Sequence, residues 1–239
     1  MKIIEKNKEK LIFLADINEE LANALRRYVA QIPVLAIDEV EISMNDSPLY
    51  DETLAHRLGL VPLRAKGVIN EKTNSNLKLL SKKEGYVYSG EIKGDAEIVY
   101  KNMPLTILKE GQEIKINAIA RVGIGKNHSK FSPGIMFYRN TFDVKIDKDC
   151  PLEISEVCPQ KILKIKDNKL IVENEIKCDG CELCSEKFQK DGKELIKITP
   201  SEDLLVTIES FGQLDSSEIF KKTIDLLKKD MNEFLKKIK

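Results

Sequence analysis

The chain has 239 residues, 42% of them hydrophobic, so it can bury one or more cores and is not wholly disordered. Basic and acidic side chains number 39 each, which gives a formal net charge of zero. A protein dedicated to binding phosphates carries a basic excess, so we expect no direct nucleic-acid binding. The sequence has no transmembrane-length apolar run and no signal-peptide pattern, which predicts a cytoplasmic protein without membrane contact.

The N-terminal part alternates strands and helices. A strand at Leu11–Ala15 precedes a helix that Asp16 or Asn18 can cap and that ends near Gln31, before Pro33. The apolar positions of this helix are spaced by four, three and four residues, so they share one face. They are Leu21, Leu25, Tyr28 and Ile32.

A second strand is predicted at Val34–Ser43, followed by a short helix from about Asp51 to Leu58. From about residue 60 to 149, short apolar segments alternate with polar or Gly/Pro turns, which is typical of a mostly β region. Its strand candidates are Tyr86–Tyr88, Glu97–Tyr100 and Glu113–Val122. After Pro200, a last strand at Leu204–Ile208 leads through Gly212 into the final helix.

The final helix, predicted from Ser216 to the end, carries the most regular periodicity in the chain. Its apolar residues alternate at spacings of four and three, a pattern suited to packing against a partner helix. They are Phe220, Ile224, Leu227, Met231, Phe234 and Ile238. An amphipathic helix lying on its own core is the alternative. A helix of this length can extend beyond a small domain, which favours the partner interpretation.

The five cysteines indicate a metal site, because disulfides are rare in the cytoplasm. Cys178, Cys181 and Cys184 form C-x2-C-x2-C. Two strand-like segments, Lys161–Lys166 and Lys169–Lys177, joined at Asp167-Asn168, would bring Cys158 back beside them. Four converging thiolates can hold an iron–sulfur cluster. Structural zinc is the alternative, although zinc sites usually pair two C-x2-C knuckles.

The spacing resembles that of bacterial two-cluster ferredoxins, whose runs read C-x2-C-x2-C-x3-C-P. If Cys158 ends the first run, the positions for a second cluster hold Lys148, Pro151, Ile154 and Phe188, none of them a ligand. The resemblance implies one cluster, a [4Fe–4S] cubane or a [3Fe–4S] form if a ligand is lost. Its ligands would be Cys158, Cys178, Cys181 and Cys184.

Cys150 fits neither run and is interpreted as a spare or buried thiol. The chain has no flavin, nicotinamide or haem motif that would give the cluster a redox partner. We therefore expect a structural cluster that ties together a segment too small for its own core, with redox sensing as a further possibility.

Residues 18–63 carry the motifs most informative about function. They contain NALRR at 23–27, AIDEV at 36–40 and DETLAHRLGLVPL at 51–63. The set resembles the signature of the α-like subunits of cellular RNA polymerases. With the cysteine insert and a single C-terminal helix, the chain is similar to the archaeal D subunit. The bacterial α subunit instead lacks the insert and carries a separate DNA-binding domain.

The resemblance implies a non-catalytic assembly scaffold of archaeal DNA-dependent RNA polymerase with an α+β fold. It implies a discontinuous dimerisation domain (1–45 and 201–239), a β-rich insert (46–149 and 192–200) and a small ferredoxin-like domain (150–191). The implied partners are the small subunit L as a heterodimer, the small subunits N and P, and the large catalytic subunits. The two apolar helix faces would form the L interface.

No catalytic site is expected in the chain itself. Asp38 and Glu39 lack the spacing of a metal-binding polymerase loop, and no nucleophile is tied to His56 by a motif. Arg26, Arg27, His56 and Arg57 are candidates for contact with a large subunit. A ferredoxin-type electron carrier and a nucleic-acid-binding zinc protein are the alternative functions. About 200 residues outside the cysteine segment argue against the first, and neutral charge argues against the second.

Overall fold

A computed structural model describes residues 1–67, 69–70, 72–148, 150–187, 189–190 and 193–238. The fold is mixed α+β, with more strand than helix. The helices are α1 (Glu19–Val29), α2 (Asp51–Gly59), α3 (Leu183–Lys187) and α4 (Ser216–Ile238). The first strands are β1 (Lys2–Lys6), β2 (Lys10–Ala15), β3 (Val34–Asn45), β4 (Leu63–Arg64), β5 (Asn74–Ser81), β6 (Gly85–Tyr88), β7 (Lys93–Gly94) and β8 (Glu97–Ile98). The later strands are β9 (Pro104–Leu108), β10 (Ile114–Gly123), β11 (Gly134–Ile146), β12 (Leu163–Lys166), β13 (Lys169–Val172), β14 (Gln189–Lys190), β15 (Lys193–Glu194) and β16 (Ile196–Ser210).

The chain divides into two compact units, each built from several chain segments. The first contains Met1–Ile4, Ile12–Ala22 and Phe137–Thr207, and the second contains Glu5–Leu11, Asn23–Met136 and Ile208–Lys239. One four-stranded sheet has the order β1-β2-β16-β11, and most of each of its strands belongs to the first unit. The three-part division expected from the sequence remains a prediction.

The second unit is organised around a sheet of order β3-β10-β5-β7, in which β10 pairs antiparallel with both β3 and β5. Every second residue of β5 is buried, as strand geometry requires when one face meets a core. The core includes Leu77, Leu79, Ile114 and Ile116, each at most 2% exposed. This sheet and the two-stranded β4-β8 and β6-β9 pairs make the region mostly β, as predicted.

Helix α2 lies in the second unit and begins and ends as its sequence predicts. Asp51 and Glu52 occupy its first turn and His56 and Arg57 its last, so each charge meets the favourable end of the helix dipole. Leu54 and Leu58 are 0% and 1% exposed and anchor the helix on the core of this unit.

In the first unit, β12 and β13 form the predicted hairpin, with Lys166 paired with Lys169 across the turn. Asp167 and Asn168 have φ values of 49° and 55°. Two consecutive left-handed residues are what a tight hairpin turn of the I′ type needs, and Asp and Asn tolerate this conformation well. The second strand ends at Val172, earlier than the expected Lys177, and a short 3-10 turn occupies Glu175–Lys177.

Other predicted elements are close to those observed, with two exceptions. The strand expected at Leu204–Ile208 is longer in the structure, because β16 begins at Ile196 and continues through Pro200. The strands that were not predicted are β1, β4, β5, β7, β9, β11, β14 and β15. None of the helices in the described residues is long and apolar enough to span a lipid bilayer.

Candidate metal centre and partner face

Three of the four predicted cluster ligands are buried in one small apolar core of the first unit. Cys158, Cys178 and Cys184 are 9%, 6% and 7% exposed, and all three pack in this core. Cys181 is exposed. The other buried members are aliphatic: Val144, Ile154, Ile162, Leu163 and Ile196. The hairpin thus places Cys158 in the same core as Cys178 and Cys184 of the C-x2-C-x2-C motif. Among the described residues, thiols make up three of the eight buried side chains of this core.

The thiols influence one another's protonation. Burial first, and then the neighbouring Cys158, Cys178 and Cys181, together raise the pKa of Cys184 to about 11. Burial also raises the pKa of Cys178, while a hydrogen bond donated by the Gly180 backbone N–H opposes that shift. Without a metal these sulfurs are therefore protonated at neutral pH. A bound cation would reverse this preference, because metal-bound sulfur is a thiolate.

Backbone geometry packs the cysteine loop tightly against β11. Gly180 has φ +70°, and a Cβ at this position would lie 2.4 Å from the ring of Phe142. Only glycine combines this conformation with so close an approach. Arg139 on the same strand donates hydrogen bonds to the carbonyl oxygens of Cys178, at 2.7 Å, and of Ile176.

The side chains are not already arranged around a metal. Among the described residues, no set of three or more His, Cys, Asp or Glu side chains is disposed to hold a metal ion. Cys158, Cys178 and Cys184 share one core and Cys181 is exposed, so the four side chains would have to rearrange to converge on a metal. Such rearrangement is normal, because a metal site is rarely complete before the metal binds.

The described residues at the missing ligand positions differ in burial: Lys148 is exposed, Pro151 is half-buried and Ile154 packs in the core. Ile154 is 0% exposed and lies in the same core as Cys158. Cys150 is half-buried, packs against that core, and has a pKa raised by burial. Phe188 lies outside the described residues. Sequence reasoning missed Arg139 and Phe142, since nothing local connects them to cysteines some forty residues away.

Arg139→Met should loosen the cysteine loop. The substitution removes two hydrogen bonds from a charged donor, which we expect to lower the free energy of unfolding by roughly 1–3 kcal/mol. Amide hydrogen exchange should speed up in residues 176–181. Lys145→Met is the matched control, because Lys145 is exposed on the same strand. Equal exchange in both variants would show that Arg139 does not hold the loop.

The apolar seam predicted on α4 is largely uncovered in the chain. Phe220, Ile224 and Leu227 are half-buried. Met231, Phe234 and Ile238 are 58%, 63% and 66% exposed, and Leu235 beside them is 55% exposed. The helix contacts its own unit instead through Ile219 and Thr223, both fully buried. The face that the helix buries and the face that carries the seam are therefore different.

The predicted face of α1 divides into exposed and buried residues. Leu21 is 41% exposed, and Tyr28 is half-buried with its hydroxyl donating to Asp230 of α4 at 2.9 Å. This bond raises the pKa of Tyr28. Leu25 and Ile32 are 6% and 0% exposed, so in this chain they belong to its own core and are not available to a partner. The helix and the turn after it bury Ala22, Leu25, Val29 and Ile32, so the predicted face contains only two of these four residues.

The four residues predicted to contact a large subunit differ in how far the chain itself binds their side chains. Arg26 and Arg27 are exposed, and Arg26 donates to its neighbour Asn23 at 2.9 Å. His56 is exposed at the end of α2. Arg57 donates to the carbonyl of Leu105 at 2.9 Å, which commits part of its guanidinium to its own unit.

Comparison with known proteins agrees with this architecture. Residues 40–138, which include the second half of β3, helix α2 and strands β5 and β10, match the family of the RNA polymerase Rpb3/RpoA insert domain. The middle of the chain is therefore similar to the insert domain of RNA polymerase subunits of the Rpb3/RpoA type.

Similarity over nearly the whole chain specifies the family more narrowly. The chain is 31% identical to DNA-directed RNA polymerase subunit Rpo3 of Thermococcus kodakarensis, over 99% of this chain and 96% of that protein. Identity with Rpo3 of Pyrococcus furiosus is 30%, over 100% and 96%. Identity with RNA polymerase II subunit rpb3 of Dictyostelium discoideum is 27%, over 98% and 92%. The chain belongs to the Rpo3 family of archaeal RNA polymerase subunits, and is a subunit of that complex rather than a catalyst itself.

Proposed function

We propose that the chain is the assembly scaffold of an archaeal RNA polymerase and that it pairs with a small L-like subunit through the seam on α4. The observation that carries this proposal is the exposure of Met231, Phe234, Leu235 and Ile238 at the end of a 23-residue helix. A continuous apolar stripe on a soluble subunit marks a contact surface. At roughly 25 cal/mol per Å², covering it with a matching helix would give an obligate rather than transient pair.

Leu21 and Tyr28 on α1 complete the proposed contact from the exposed part of that helix. In this proposal Leu25 and Ile32 support the contact from within the core instead of touching the partner. The resulting pair then recruits the small subunits N and P and afterwards the large catalytic subunits, to which Arg26, Arg27 and His56 remain accessible.

We further propose that Cys158, Cys178, Cys181 and Cys184 hold one iron–sulfur cluster, with [4Fe–4S] preferred. The donor set supports it: four thiols from one hairpin-closed segment, with a backbone N–H donating to the Cys178 sulfur. The cluster is structural in this account, because the core it would complete has, within the part of the chain that the structure describes, five other buried side chains, all aliphatic. A segment of this size gains most from a covalent or metal crosslink.

Order-of-addition assembly tests the scaffold proposal. The chain, the small partner, the remaining small subunits and the large subunits are mixed in different sequences, and the complexes are resolved by size-exclusion chromatography. We expect the large subunits to join only a preformed pair, since the uncovered seam makes the chain self-associate when alone. Large subunits that bind the chain equally well without the small partner would refute the proposal.

A further inference from the structure

Arg139 differs from the lysines that surround the cysteine loop, residues 175–181. It is half-buried on β11, whereas every lysine that the structure describes between residues 139 and 187 is exposed. An arginine side chain stays protonated throughout the pH range in which proteins fold. A permanent positive charge is therefore partly withdrawn from water beside this loop.

The charge of Arg139 has no counter-charge in the part of the chain that the structure describes. The guanidinium donates to the backbone carbonyl oxygens of Cys178 at 2.7 Å, of Ile176, and of Asn140 at 3.3 Å. No carboxylate of the described residues forms an ion pair with it. Carbonyl dipoles satisfy its N–H groups but leave its net charge unbalanced.

The two acidic side chains of the same loop have other partners. Glu175 accepts a hydrogen bond from the Val144 backbone N–H, and Asp179 accepts one from the Gln160 side chain at 3.1 Å. Neither side chain pairs with Arg139, although both lie on the loop that the guanidinium binds. A half-buried cation in this position gains from any negative charge placed nearby.

The buried cysteines are where such a negative charge would lie. Cys178 and Cys184 are 6% and 7% exposed in a core whose other buried members are aliphatic, and aliphatic groups do not solvate a thiolate. Arg139 donates directly to the backbone of Cys178, and Gly180 packs against the ring of Phe142 on the same strand. The guanidinium therefore lies beside a proposed ligand that needs a counter-charge.

We propose that Arg139 supplies the counter-charge of the iron–sulfur cluster, which raises the reduction potential of the cluster and slows the loss of iron. This inference rests on the cluster proposed above. The potential of a protein-bound cluster depends on the charges and hydrogen bonds around it, and a nearby cation favours the form that carries one more electron. Support of the loop requires only a hydrogen-bond donor, whereas the effect on the potential requires the charge.

A redox titration of the full chain, purified anaerobically with its cluster, tests the charge. Dithionite supplies the electron, and electron paramagnetic resonance measures the reduced fraction at each potential. Arg139→Met should make reduction about tenfold less favourable, a shift of 59 mV towards negative potential for a one-electron couple. Arg139→Lys keeps the charge and should stay within about twofold of the wild type. Equal shifts in both variants would overturn the proposal.

Lys145→Met is the matched control for the loss of a charge from β11. Lys145 lies on the same strand but is exposed, so solvent screens its charge and its replacement should change the reduction equilibrium less than about twofold. A shift in this variant as large as that in Arg139→Met would overturn the proposal, because the position of the charge would then have no effect.

Release of iron to a chelator is the second measurement. Arg139→Met should lose iron at least about tenfold faster than the wild type, and Arg139→Lys should lose it at nearly the wild-type rate. Equally fast loss from both variants would overturn the proposal. A wild-type chain that binds no iron and sulfide would refute the cluster and this inference with it. A loaded wild type with the same potential as Arg139→Met would refute the counter-charge alone.

Discussion

The double substitution Cys158→Ser/Cys178→Ser is expected to abolish cluster binding, reducing the iron from about four atoms per chain to below about one. Both thiols are buried in the same core, so no exposed side chain can replace them. Two ligands are removed because a single loss could leave a three-iron form. Iron and acid-labile sulfide are measured after anaerobic purification, together with the visible absorption of the cluster.

Cys150→Ser is the matched control for this experiment. Cys150 packs beside the same core but falls outside the ferredoxin-like spacing, so its replacement should leave iron and sulfide unchanged. Unchanged iron in the double variant would contradict the proposed ligand set. Stoichiometric zinc without sulfide in the wild-type protein would replace the cluster by a structural zinc site held by the same thiols.

Met231→Glu/Phe234→Glu is expected to prevent pairing with the small subunit. Burial of each side chain contributes about 1.5–3 kcal/mol, so the loss of both weakens the pair by on the order of 10²- to 10⁴-fold. The two residues are 58% and 63% exposed in the free chain, so its own unfolding free energy should change little. Analytical ultracentrifugation of the mixed subunits measures the pairing.

Lys221→Glu on the same helix is the control for charge alone, because Lys221 is exposed and outside the seam. It should pair like the wild type. A double seam variant that pairs with wild-type affinity would show that the exposed stripe of α4 is not the contact surface.

Helix α4 illustrates how much of this fold the sequence predicts. Its start at Ser216 was predicted because Gly212 ends the preceding segment and the apolar period begins at once. The same periodicity separated the seam from the charged face. It did not reveal that Ile219 and Thr223, rather than the seam, anchor the helix to its own unit.

The missed strands have a common physical cause. Strand β5 buries Ser75 and Ser81 at inward positions, so its alternation is hidden when only apolar residues are counted. Strand β16 continues through an exposed Pro200, a residue that cannot donate to a strand ladder and therefore suggested a boundary. The buried serines of β5 and the proline within β16 can be recognised as strand residues only when the neighbouring strands are known.

The approach of Cys158 to Cys178 and Cys184 was predictable from the sequence, whereas the surroundings of these cysteines were not. Spacing and the hairpin turn at Asp167-Asn168 were local signals, and the structure brings Cys158 and Cys184 into one core. Arg139 supports the loop by hydrogen bonds to backbone carbonyl oxygens. Every residue has a backbone carbonyl, so the sequence does not indicate which residues bind Arg139. Likewise, periodicity could not distinguish Leu25, which is buried in its own core, from exposed Leu21.

Native mass spectrometry of the chain, co-expressed anaerobically with a small L-like subunit, tests the central claim most directly. The account predicts a one-to-one heterodimer that carries about four irons and four sulfides per complex. The mass reports pairing and the metal content reports the cluster, so the two halves are judged separately. A stable monomer that does not bind the small subunit would contradict the scaffold assignment.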